Sequence, residues 1–86
     1  MHEMSVALEI CRLAEKHMGI ERLPSVVAVG VAVGDDAGLE VANLEFCLDA
    51  LLAEPPFTGA RSCISREPGP DLRLDYLEVE DAGPDD

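Results

Sequence analysis

The sequence predicts a small α+β domain: one three-stranded, mainly antiparallel sheet with two helices packed on one of its faces. Three observations predict it. Two stretches repeat apolar residues at helical spacing, three others alternate at period two, and the order along the chain is helix, strand, helix, strand, strand. A single sheet covered on one side by both helices would bury every one of those apolar stripes. Eighty-six residues suffice for one domain of this kind.

The first helix is expected over residues 4–18. Ala7, Ile10, Cys11, Ala14 and Met18 form its apolar stripe, flanked by Leu8 and Leu13, while Glu9, Arg12, Glu15 and Lys16 take the wet side. Gly19 follows as a stop, with Lys16 and His17 near the negative end of the helix. Cys11 reads as a core residue, because a free cysteine on an apolar face behaves as a small hydrophobe. Residues 25–34 read as a strand with Val27, Val29, Val31 and Val33 on one face and Ala28, Gly30 and Ala32 on the other. The small-residue face suits either a covering neighbour or the close approach of a partner.

A loop at residues 34–38 leads into a second helix over about residues 40–53. Its stripe is Val41, Leu44, Cys47, Leu48 and Leu51, broadened by Phe46 and Leu52, and Pro55-Pro56 stops it. The second strand is expected at residues 60–66 and the third at 72–80, with a bulge near Asp75-Tyr76 where the apolar phase changes between Leu74 and Leu77. Pro68-Gly69-Pro70 separates them and reads as the turn of an antiparallel hairpin. The domain is thus residues 1–80, and the acidic stretch 81–86 is expected to be a disordered tail.

Six basic residues against eighteen acidic ones give a net charge of −12. That excludes nucleic acid and anionic membrane surfaces as partners, since both require basic patches. No apolar run is long enough to cross a bilayer and nothing at the start resembles a signal peptide, so a soluble cytoplasmic protein is expected. Cys11, Cys47 and Cys63 are widely spaced and form no CxxC pair, so no structural zinc is expected. Asp35, Asp36 and Glu40 lack the spacing of a calcium loop. No nucleophile–base pair or phosphate loop marks an enzyme. Unpaired strand edges in so small a domain leave a weak homodimer open.

The candidate site is the chain start, Met1-His2-Glu3. The amine of Met1, the amide nitrogen of His2 and its imidazole Nδ1 close two chelate rings around one ion. Such a planar nitrogen set suits Ni(II) or Cu(II) over zinc, calcium or magnesium. Glu3, an acidic residue opening a helix, serves the helix dipole.

Met1-His2-Glu3-Met4-Ser5, the valine strand ending in Val33-Gly34, the segment from Leu44 through Glu45, Phe46 and Cys47 to Leu51, Gly59-Ala60-Arg61 with Arg66-Glu67-Pro68-Gly69, and the closing Leu72-Arg73-Leu74 and Leu77-Glu78-Val79-Glu80 together resemble the HypA/HybF family of hydrogenase maturation nickel metallochaperones. The resemblance covers about residues 1–80. It implies Ni(II) held by Met1, His2 and Glu3, and two protein partners, a HypB-type GTPase and the large subunit of a nickel enzyme such as [NiFe] hydrogenase. One departure is large. Where the family inserts a zinc ribbon of two CxxC pairs before its closing strand, this chain has only Pro70-Asp71. A second role is therefore open: an adaptor that kept the domain for docking without the metal cycle.

Overall fold

A computed structural model describes residues 3–80. Helix α1 (Glu3–Met18) is followed by a 3-10 helix (Ile20–Ser25), strand β1 (Val26–Gly34), helix α2 (Val41–Leu52), strand β2 (Arg61–Glu67) and strand β3 (Leu72–Val79). The α+β class, the single three-stranded sheet and the two helices are as the sequence predicts. The expected disordered tail at 81–86 lies outside the described residues. The 3-10 helix was not anticipated; it lets Leu23 turn into the core, where it is 1% exposed.

The sheet order is β2-β1-β3, with β1 parallel to β2 and antiparallel to β3. This corrects the expected hairpin: β2 and β3 flank β1 and do not pair with each other. The reason lies in the side chains. β1 has no charged residue and is buried on both faces, whereas β2 carries Arg61, Arg66 and Glu67 and β3 interleaves Arg73, Asp75 and Glu78 with apolar residues, charges that tolerate an edge. The Pro68–Pro70 turn crosses the end of β1 instead of closing a hairpin. The backbone N–H groups of Gly34, Asp35 and Asp36 donate to the carbonyls of Asp71 (2.6 Å), Glu67 (2.7 Å) and Gly69 (2.9 Å). A side chain at Gly34 would overlap the Gly69 carbonyl. The bulge in β3 is present as expected: Gly30 pairs with Tyr76 and Val31 with Leu74, so Asp75 is the extra residue.

The core lies between the sheet and the helices. Val29, Val31 and Val33 meet Ala7, Ile10 and Ala14 of α1 and Leu44, Leu48 and Leu52 of α2, with Ile64, Leu72, Leu74 and Leu77 packed at its margin. Half-buried Cys11 joins that margin, and burial raises its thiol pKa, which keeps it in the unreactive protonated form. On the other sheet face the flanking strands cover β1 themselves. Ala28 lies between Arg61 and Glu78, Gly30 between Cys63 and Tyr76, and Ala32 between Ser65 and Arg73. The Tyr76 ring lies over Gly30 so closely that any Cβ there would overlap it. Arg61 reaches Glu78 at 3.9 Å, and Arg73 donates to Glu67 (2.9 Å) and Asp75 (2.7 Å). Exposed pairs of this kind contribute at most about 1 kcal/mol each. Their larger effect is to lay long side chains over a strand too small-featured to shield itself.

Phe46 departs from expectation. The sequence counted it with the buried stripe of α2, but it is 72% exposed. Two residues from both Leu44 and Leu48, it stands about 200° round the helix from each, on the opposite side. Leu52, the other residue added to that stripe, is fully buried.

Gly34→Ala should lower stability by about 1–3 kcal/mol, because the obstacle is backbone that cannot swing aside. For a domain of this size each kcal/mol moves Tm by about 4–8 °C in a thermal melt. A melt unchanged by Gly34→Ala would contradict the docking of the Pro68–Asp71 turn on β1.

Candidate metal centre

Glu3 is the described member of the Met1-His2-Glu3 set; Met1 and His2 lie outside the described residues. The stripe that buries α1 also places Glu3, since Glu3, Ala7, Ile10 and Ala14 succeed one another on the inward face. As the first residue of that stripe, Glu3 meets the start of α2. Its Oε2 accepts from the backbone N–H of Glu40 at 2.9 Å, and its Oε1 accepts from the side-chain amide of Asn43 at 3.0 Å. Glu40 in turn caps α2, its own Oε1 accepting from the Asn43 backbone N–H at 2.7 Å.

Two carboxylates and an asparagine thus close the N-terminal end of α2, and one of the carboxylates comes from the first turn of α1. Glu3 is the one buried charged residue among those described. The backbone N–H of Glu40 is the largest cause that holds its carboxyl pKa below the ordinary value. Its own backbone N–H and the Asn43 amide act in the same direction, against the opposing effect of burial. The carboxylate therefore stays ionised at neutral pH with both oxygens engaged.

The other sequence candidates do not assemble. Among the described residues no three of His, Cys, Asp and Glu come together in a way that could hold a metal ion. Asp35 is paired with Arg66 at 3.1 Å and Glu40 is occupied as a cap, so the loop acids form no calcium site. Cys63 faces Tyr76 across Gly30, and hydrogen bonding with Cys63 raises the tyrosine hydroxyl pKa. Among the described residues no helix is long and apolar enough to cross a membrane.

A family model described as hydrogenase/urease nickel incorporation, metallochaperone, hypA, matches residues 1–70. The chain belongs to the HypA family. It is similar to proteins named hydrogenase maturation factor HypA in several bacteria. The one from Geobacter metallireducens is 38% identical over 69 residues, which is 80% of this chain and 60% of that protein. The one from Azotobacter chroococcum is 39% identical over 69 residues, 80% of this chain and 61% of its own length. The one from Chlorobaculum parvum is 33% identical over 64 residues, 74% and 57% respectively. This chain thus spans about 60% of the length of the curated HypA relatives it matches. In this HypA domain β2 passes to β3 through Pro68–Asp71 alone, and its three cysteines form no CxxC pair, so no zinc ribbon is inserted there.

Because the folded-state pKa of Glu3 is lowered from an ordinary 4.5, its stabilisation is full above that value and is lost as pH falls through the lower folded value. In metal-free protein, the Tm advantage of wild type over Glu3→Gln should be full at about pH 6 and shrink progressively as pH falls below the ordinary carboxyl value. A gap that persists unchanged at low pH would contradict the ionised tie to α2.

Proposed function

We propose that this chain is a nickel metallochaperone that binds Ni(II) at its N-terminus for the maturation of a nickel enzyme such as [NiFe] hydrogenase. The ligands are the Met1 amine, the amide and imidazole nitrogens of His2, and the backbone nitrogen of Glu3. The observation that carries this reading is the double engagement of the Glu3 carboxylate at the start of α2. It holds the first helical residue in place, and it turns the Glu3 contribution from the carboxylate to the amide. That amide belongs to the first turn of α1, where backbone N–H groups have no intrahelical acceptor, so its deprotonation breaks no helix hydrogen bond.

The Met1 amine and the amide and imidazole nitrogens of His2 would hold Ni(II), which suits such nitrogen donors, and the Glu3 nitrogen would chelate from the His2 amide. Ni(II) here is cargo: a site on a chain terminus lets a receiving protein displace the ligands one at a time. The recipients are a HypB-type GTPase and the large subunit of the nickel enzyme. The match to HypA over residues 1–70 supports the reading, since it includes the proposed ligands and the whole helical scaffold beneath them. The adaptor reading draws on one observation, the direct Pro68–Asp71 connection in place of a zinc ribbon. It differs in making partner binding indifferent to the loss of His2.

Calorimetric titration at about pH 7.5 should show one Ni(II) per chain. Both His2→Ala and one extra residue before Met1 should abolish that uptake. Affinity should fall steeply below neutral pH, because the metal displaces protons from an amine of ordinary pKa about 8 and an imidazole of about 6.5. Stoichiometric nickel retained by both variants would rule out the terminal chelate.

A further inference from the structure

The outer side of α2 has no role in the fold or in the proposed nickel chelate. Phe46, one of only three aromatic residues in the chain, projects there at 72% exposure, while Phe57 is buried at 5%. A single exposed apolar residue needs no explanation. Phe46, however, is one turn from Ala42 and one turn from Ala50, with Ala53 beyond at the helix end, and all three are exposed. The result is an aromatic knob on a flat apolar strip about 16 Å long. Glu45 and Asp49 run beside it, and Asp49 is fixed by the Ser62 hydroxyl at 2.6 Å. Between residues 35 and 60 the chain has six acidic residues and no lysine, arginine or histidine.

We infer that this face of α2, centred on Phe46, is the docking surface for the protein that receives the metal, and that the matching surface is an apolar pocket for the phenyl ring rimmed by lysine or arginine. Charge selects that occupant. A second copy of this chain has a net charge of −12, and a two-fold pairing of this face would set Glu45 and Asp49 against their own counterparts. A basic rim instead gains from the same carboxylates. Apolar anchors enclosed by a polar rim are the usual energetic centre of a protein interface. Placement points the same way. Asn43, which holds Glu3, precedes Phe46 by three residues, about 4.5 Å along the helix axis. A protein seated on Phe46 is therefore brought to the end of the domain where the chain start is anchored. That the seated protein is the recipient rests on the nickel-carrier reading; the docking chemistry does not.

The test uses the nickel-loaded full chain with a purified HypB-type GTPase and a purified nickel-enzyme large-subunit precursor from the same organism. At least one should bind wild type. That complex should weaken about tenfold or more with Phe46→Ala, and comparably with Glu45→Lys, while Phe46→Leu retains most of the affinity. Rising salt should weaken the wild-type complex, and all three variants should keep wild-type Tm and nickel stoichiometry. Binding of neither protein, affinity indifferent to Phe46→Ala, or a wild-type homodimer that Phe46→Ala dissolves would overturn the inference. A chain that takes up no nickel yet docks through Phe46 would overturn the carrier reading and leave the docking surface standing.

Discussion

Two helix N-termini converge in this domain, and both present the positive end of a helix dipole and unsatisfied backbone N–H groups. The carboxylate of Glu3 answers both. It belongs to the first turn of α1 and accepts from the backbone of Glu40 and the side chain of Asn43 at the start of α2. Without an anion there, two like partial charges would face each other beside an apolar core. The helices pack as a pair on one face of the sheet, and this single side chain fixes where their ends meet. In a small domain with few aromatics, such a tie does work that larger proteins leave to a bigger core.

Below the helices, β1 solves a different problem. It is the one strand free of charge, and as the middle strand it is buried on both faces. Valines fill the helix side, while alanine and glycine on the other side leave room for Tyr76, Arg61 and Arg73 to arch over from the flanking strands. The short Pro68–Asp71 connection then returns across the end of β1 and satisfies three of its neighbouring N–H groups.

Much of this was legible beforehand, for reasons specific to each element. The alternating valines, the stripe from Ala7 to Met18 and the phase change at Asp75 are local patterns present in the structure, except that an irregularity between Val26 and Ala28 puts Val26 in the core in place of Val27. The expected hairpin is absent because Pro-Gly-Pro is a strong turn signal that does not say which strands it joins. The charge-free β1 held the better clue, since a strand buried on both faces belongs in the middle of a sheet. Phe46 is apolar by composition, but its angle from Leu44 and Leu48 puts it on the outer side of α2. Of the candidate site, the sequence offers Glu3 as a metal ligand or a helix-dipole residue, but its partners lie 37 and 40 positions away, and no local spacing announces them.

In the proposed carrier the Glu3 carboxylate stays tied to α2 while the Glu3 backbone nitrogen serves the metal. Calorimetric titration of Glu3→Gln with Ni(II) at about pH 7.5 tests this most directly, because the substitution removes the carboxylate and keeps the nitrogen. The variant should still take up one Ni(II) per chain. Loss of that uptake in a variant that stays folded would put the carboxylate on the metal and contradict the proposed ligand set.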